Sequence, residues 1–200
     1  MKIIFLDFDG VITTYHSGWR ISIEKLLLID KIVQNTDAKI VVTSSWKLGF
    51  RTVEEFKNDL DNKRCARNVK GETPFEKFVE QIYDMTDNSG PWRGDEIQRY
   101  LYLHKDDVES YVILDDDNDM LDEQLFNFVQ TDSYDGIGQR EADLCISVLN
   151  NERIPNPIRL NNELMFRWRI NNYDKNTIIE MKEKNNIEKM LKEYYNKHLY

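Results

Sequence analysis

The sequence predicts an α/β fold: a parallel sheet in the middle of three layers, covered on both faces by helices. Three observations carry this. Short, wholly apolar runs recur along the chain, helical periodicities fill the intervals between them, and the runs end abruptly in carboxylates or hydroxyls. Buried parallel strands read as continuous apolar segments rather than alternating ones, and strands that alternate with helices form parallel sheets. In such folds ligands bind beyond the carboxyl ends of the strands, where the strand order reverses.

The first strand is "IIFL" at 3–6, and it runs into Asp7 and Asp9. Positions i and i+2 of a strand point the same way, so these two acids converge just past its end and repel each other. A shared proton, a nearby cation or a metal ion must offset that repulsion. A helix is predicted over 21–35, "ISIEKLLLIDKIVQN", with Ile23, Leu26, Leu27, Ile32 and Val33 near one face. "KIVVT" at 39–43 is the second strand, followed by Thr43, Ser44 and Ser45. "RTVEEFKNDL" and "GDEIQRYLYLH" are further helices. The stretch from about Arg64 to Pro91 has weaker periodicity and reads as an insertion or lid-like connection. "YVIL" at 111–114 is the third strand and ends in Asp115, Asp116, Asp117 and, further on, Asp119. "FNFVQT" at 126–131 is a weaker strand.

The 200-residue chain holds 40% hydrophobic residues, enough for one well-buried domain with a small appendage. We place the main domain at 1–149 and a mostly helical C-terminal extension at 150–200. The connector "NERIPNPIRL" and the tail "TIIEMKEKNNIEKMLKEYYNKHLY" mark that extension, and the tail puts Ile187, Met190, Leu191 and Tyr194 on one stripe. Such a helix suits docking on the core or pairing with a second copy as a homodimer. The absence of a long apolar span leads us to expect a soluble, cytoplasmic protein without membrane partners. Cys65 and Cys145 lack the spacing of a metal site or a disulfide framework and are expected reduced and packed; His16, His104 and His198 also lack metal-ligand spacing.

Of 27 Lys+Arg and 36 Asp+Glu, 10 and 7 lie from Asn150 onward, which leaves 17 against 29 in the preceding domain. That part is no generic polyanion-binding surface.

A phosphoryl group placed between the strand ends would find every part it needs. Asp7 can act as nucleophile, Asp9 as proton donor and acceptor, and the "DDDND" run can hold Mg²⁺ through oxygen ligands. Ser44, Ser45, Lys47 and Gly10 are the candidate substrate-binding residues. The first candidate for the positive side chain is Arg93, at the start of the helix before the third strand, and the second is Lys47 in "SSWK". Tyr15, Trp19, Trp46 and Trp92 could stack on a base or simply pack.

"FLDFDGV", "IVVTSSW" and "VILDDD", in that order, resemble motifs I, II and IV of the haloacid dehalogenase-like (HAD) hydrolase superfamily. The resemblance implies a Rossmann-like core, Mg²⁺ dependence and a phospho-aspartyl intermediate, and the short interval between Asp9 and Thr43, mostly one helix, leaves room for a minimal cap. By that likeness Asp7 is the nucleophile, Asp9 the acid/base, Ser44 the phosphate-binding hydroxyl, and Asp115 with Asp116 the metal-site acids. It further implies Asp116 as a direct metal ligand, with Asp7 and the Asp9 backbone carbonyl beside it. Motif III usually carries Lys, so Arg93 is a departure. "SSWK", "WRGDEI", "LDDD" and "QTDSYDGIG" are in addition similar to the HAD domain of Swiss Army Knife RNA-repair proteins and, more distantly, to polynucleotide phosphatases. The expected activity is hydrolysis of a phosphomonoester on a nucleotide or polynucleotide end. A small-nucleotide or metabolite phosphatase and a catalytically silent binding module are the alternatives.

Overall fold

In the computed structural model, which describes residues 1–60, 66–88 and 92–152, five parallel strands form one sheet in the order β3-β2-β1-β4-β5. The strands are β1 (Lys2–Leu6), β2 (Lys39–Val42), β3 (Ile82–Met85), β4 (Ser110–Asp115) and β5 (Phe128–Gln130). The helices are α1 (Ile23–Thr36), α2 (Val53–Leu60), α3 (Thr73–Gln81), α4 (Arg93–Leu103) and α5 (Gln139–Leu149). This is the Rossmann-like α/β arrangement that the apolar runs predict.

The central strands are apolar on both faces because both faces are covered. Ile3, Ile4, Phe5 and Leu6 of β1, Ile40, Val41 and Val42 of β2, and Val112, Ile113 and Leu114 of β4 are all fully buried. β1 pairs Phe5 with Val41 on one side and with Ile113 on the other. The chain runs outward from β1 through β2 to β3, then returns through α4 to β4 on the far side of β1. The strand order therefore reverses between β1 and β4, and the crevice beyond their carboxyl ends is where a ligand belongs.

Polar ties join the helices on one face. Lys77 Nζ of α3 reaches Asp30 Oδ2 of α1 at 2.8 Å, and Lys31 of α1 reaches Asp143 of α5 at 2.6 Å. On α4, the Tyr100 ring packs edge-on against Phe5 at 5.6 Å between centroids.

The stretch predicted as an insertion or lid is, in its described residues, part of the sheet layers. α3 buries Phe75 and Phe78, and β3 joins the sheet as an edge strand beside β2. The strand escapes sequence reading because "IYDM" buries only Ile82 and carries an acid in its middle. β5 is shorter than the expected 126–131, since Phe126 and Asn127 end a 3-10 turn over Asp122–Asn127. α5 was not anticipated. Cys145 is buried as a free thiol on it, while Cys65 lies outside the described residues. So does the predicted helical tail, for the described residues end at Glu152, the last residue of one compact unit, Met1–Glu152. Among the described residues no helix is long and apolar enough to cross a membrane.

Phe8 sits between the two acids that follow β1, and its ring is fully buried against Trp46, Phe56 and Phe78 at 5.3, 6.0 and 5.7 Å. It nails the acidic loop to the core. We expect Phe8→Ala to cost about 3–5 kcal/mol in a urea titration, the range for emptying a buried aromatic site.

Asp30 supplies a pH test of the α1–α3 contact. Burial is the largest single influence and raises its pKa, but the hydrogen bonds from Lys77 and Gln81 and the Lys77 charge together outweigh it and hold the group below the ordinary carboxylate value. A depressed native pKa stabilises the fold above the unfolded-state pKa of about 4 and is lost as pH falls through the native value. Asp30→Asn is therefore expected to lower the urea midpoint at pH 7, with the gap to wild type closing as the pH is brought down toward 3.

Candidate active site

The ladders of β1 continue one residue past its end. Asp7 N–H donates to Leu114 O at 3.0 Å, and Thr43 N–H donates to Leu6 O at 3.0 Å. Asp7 is thereby held between the ends of β2 and β4 and is almost wholly buried. Its Oδ1 accepts a 2.6 Å hydrogen bond from Arg93 Nη1. The same nitrogen donates to Thr43 O at 2.6 Å and lies 3.5 Å from Asp115 Oδ2.

Of the two candidate cations, Arg93 is the one against Asp7. Lys47 is 3% exposed and points to Glu96, with Nζ 3.0 Å from Oε2 and 3.4 Å from Thr43 O. Thr86 Oγ1 completes that buried pair by donating to the same Glu96 oxygen at 3.0 Å. The two cations thus share the Thr43 carbonyl.

Arg93 begins α4, and the segment after β4 fixes it there. Its backbone N–H donates to Asp119 Oδ2 at 3.0 Å, one of the free donors at a helix start finding a carboxylate. Buried Gln124 donates from Nε2 to Gly94 O at 2.9 Å and accepts at Oε1 from Leu121 N–H at 3.0 Å. A β-carbon at Gly94 would press on Leu121 N, so glycine permits this approach.

Asp9 faces a different set of groups. Its Oδ1 accepts from Thr13 Oγ1 at 2.7 Å and its Oδ2 from Trp46 Nε1 at 2.9 Å. Neither donor was identified from the sequence, where Trp46 reads only as a stacking or packing residue. Ser44 is fully buried, and its Oγ accepts from the Trp46 backbone N–H at 3.4 Å. Ser45 is exposed at the head of the 3-10 turn Ser45–Lys47.

Gly10 adopts a left-handed φ of +72°, and a β-carbon there would coincide with the Asp116 carboxylate. Only glycine lets that carboxylate lie directly over the backbone. Thr131 Oγ1 donates to Gly10 O at 2.8 Å and Gln130 Nε2 to Asp116 O at 2.7 Å, so the last residue of β5 and the one after it tie both loops down.

Asp7, Asp115 and Asp116 converge, with one carboxylate oxygen of each within 4.8 Å of the others. Burial raises the pKa of Asp7, partly countered by Arg93, and burial with the nearby Asp7 charge drives Asp115 well above the usual range. Burial, then Asp117 and Asp7, push Asp116 up to about 6. Burial works against the charge on Arg93, but Asp115 and Asp7 more than restore it. Asp115 Oδ2 is buried and has no hydrogen-bond partner. An all-oxygen set with surplus negative charge and a buried carboxylate oxygen that accepts no hydrogen bond fits a hard divalent cation. The Asp9 carboxylate, held by Thr13 and Trp46, is not part of this group.

The model of the HAD domain in Swiss Army Knife RNA repair proteins matches residues 3–142. The chain belongs to this family. The match runs from β1 into α5 and so takes in each of the described strands and each acid of the site. It makes the chain a HAD-like domain of the hydrolase type, which agrees with the order of the three motifs along the strand ends. No curated protein and no solved structure compared with this HAD domain matches it.

Divalent-cation binding has a direct readout in melting temperature. Mg²⁺ or Mn²⁺ at millimolar concentration should raise the Tm of wild type relative to EDTA, because a ligand of the native state alone stabilises it. The shift should vanish in Asp116→Asn, whose Tm in EDTA should equal or exceed that of wild type, since one of three converging charges is gone.

Proposed function

We propose that this HAD domain is a Mg²⁺-dependent phosphomonoester hydrolase acting through a phospho-aspartyl intermediate on Asp7. The observation that carries this reading is the meeting at one sheet end of Asp7, the Arg93 guanidinium 2.6 Å away, and the Asp115 and Asp116 carboxylates. An Asp7 carboxylate oxygen attacks phosphorus and the ester P–O bond breaks, while Asp9 protonates the departing alcohol oxygen. Water then attacks the phosphorus of the acyl phosphate with Asp9 taking its proton, and the Asp7–phosphorus bond breaks to release inorganic phosphate. Substrate and water become alcohol and phosphate, and both acids return to their starting states.

The other residues bind and orient. Ser44 and Arg93 supply donors for the phosphoryl oxygens; Thr13 and Trp46 hold the Asp9 carboxylate. Asp7, Asp115 and Asp116 would hold Mg²⁺, which would offset phosphoryl charge when bound. Arg93 does the work that a lysine usually does at this motif, while Lys47 and Glu96 brace the Thr43 carbonyl behind it.

The favoured substrate is the terminal phosphate of a nucleotide or polynucleotide. Two observations support that class: the matching family is described from RNA repair proteins, and α3, in the described residues between α2 and β3, packs into the sheet layers through Phe75 and Phe78. A substrate that extends beyond its phosphate suits such a site.

The test is phosphate release from phosphorylated oligonucleotides, mononucleotides and an aryl phosphate, with Mg²⁺ and with EDTA. Wild type should release phosphate only with Mg²⁺, Asp7→Asn should fall to background, and Asp9→Asn should lose about 10²–10⁴-fold. Full activity in Asp7→Asn would refute the covalent route. A wild type that releases nothing from any member would favour the silent binding module.

A further inference from the structure

The loop that carries Asp9 and Gly10 continues into a turn whose side chains the hydrolytic reaction does not use. Tyr15 is 60% exposed and Trp19 is 48% exposed. Across from them, on the loop after β5, Tyr134 is 54% exposed. The Tyr15 and Tyr134 rings pack on each other, with centroids 5.1 Å apart and planes inclined by 51°. Two large exposed aromatic rings in tilted contact form an amphipathic surface that leaves more than half of each residue open to solvent.

This surface sits on a rigid frame. Tyr15 N–H donates to Ser133 O at 3.1 Å and His16 N–H to Tyr134 O at 3.4 Å, and His16 Nδ1 lies 2.8 Å from Asp135 Oδ1. Ile137 N–H donates to Val11 O at 3.0 Å, and a β-carbon on Gly136 would run into that same carbonyl. Within the turn, Ser17 Oγ donates to Thr14 O and Trp19 N–H donates to Thr14 O at 2.8 Å. Trp19 is held at a φ of +57°, a left-handed conformation that a bulky side chain rarely adopts. Strain of this kind persists where the surroundings impose it, and it gathers at binding sites.

The same loop ties this turn to the site: Thr13 hydrogen-bonds the Asp9 side chain and Tyr15 lies two residues further on, so the Thr13 and Tyr15 α-carbons are within about 7 Å of each other. Charge decides what the surface can hold. The domain before Asn150 carries 17 Lys+Arg against 29 Asp+Glu, and beside the rings Asp132 and Asp135 stand against a single Arg20. A phosphate backbone gains little from that balance, so the base is the part of a nucleic-acid end that this surface suits.

We propose that Tyr15 and Tyr134 form a stacking platform for the nucleobase of the terminal nucleotide whose phosphate enters the Asp7 site. The proposal rests on the phosphatase reading and gives its substrate a recognised part: a base attached to the phosphorylated sugar. Affinity then comes from stacking, which tolerates any base and is insensitive to salt compared with backbone binding.

The test is binding of short fluorescent RNA oligonucleotides phosphorylated at the 3′ or the 5′ end, each paired with a probe whose terminal phosphorylated sugar is abasic. Binding is measured to Asp7→Asn and, as a second non-hydrolysing background, to wild type in EDTA. The base-bearing end should bind about tenfold or more tighter than its abasic partner. Tyr15→Ala with Tyr134→Ala should erase that ratio, and the paired Phe substitutions, which keep the rings, should retain it. A ratio near one in the parent, a ratio that survives loss of both rings, or no binding of any probe would overturn the platform. Phosphate release by wild type reports separately on the chemistry. A protein that discriminates the base but releases no phosphate keeps the platform and loses the phosphatase, and release without base discrimination does the reverse.

Discussion

One guanidinium surrounded by carboxylates is the constraint on which the rest of this structure depends. Arg93 Nη1 contacts Asp7, Asp115 and the Thr43 carbonyl, which come from the ends of β1, β4 and β2. Two unit charges 4.8 Å apart repel by about 3 kcal/mol at an effective dielectric near 20. Three converging carboxylates with one guanidinium are therefore held together against a substantial force. The backbone ladders of the sheet supply the restraint, and a bound divalent cation would remove most of the strain.

Much of the surrounding architecture serves to keep that arginine and those acids in place. Asp119, the last acid of the run after β4, and Gln124 beyond it grip the first turn of α4 and so aim Arg93. Lys47 and Glu96 form a buried pair behind the site; its worth is in fixing the Thr43 carbonyl, since buried pairs contribute little net stability by themselves. Phe8, buried between two acids, couples their loop to the apolar interior. The molecule spends stability on assembling like charges and recovers it through packing directly beneath them.

The strands that bear the acids were legible because a strand buried on both faces must be apolar throughout, and an acid that ends such a run stands out. That logic located Asp7, Asp9, Ser44, Asp115 and Asp116. It failed for β3, an edge strand with little to bury, and for α5. It also left Arg93 and Lys47 undecided, since both lie close in sequence to a strand end or helix start and only the packing of α4 shows which one turns toward Asp7. The grip of Thr13 and Trp46 on Asp9 was invisible for a related reason. A tryptophan N–H carries no signature of its partner, and Trp46 is 37 residues from Asp9. Local pattern reveals which residues a strand presents, whereas the hydrogen bonds that orient them depend on approach between distant segments.

The central claim is that Asp7 accepts the phosphoryl group while Asp115 and Asp116 share a cation with it. A crystal structure grown with Mg²⁺ and beryllium fluoride, a mimic of an acyl phosphate, tests it most directly. The account predicts the fluoride adduct on the Asp7 carboxylate, Mg²⁺ ligated by Asp7 and Asp116 with Asp115 in its shell, and Ser44 and Arg93 donating to the fluorines. An unmodified Asp7 with the anion bound elsewhere, or a cation away from the three carboxylates, would contradict it.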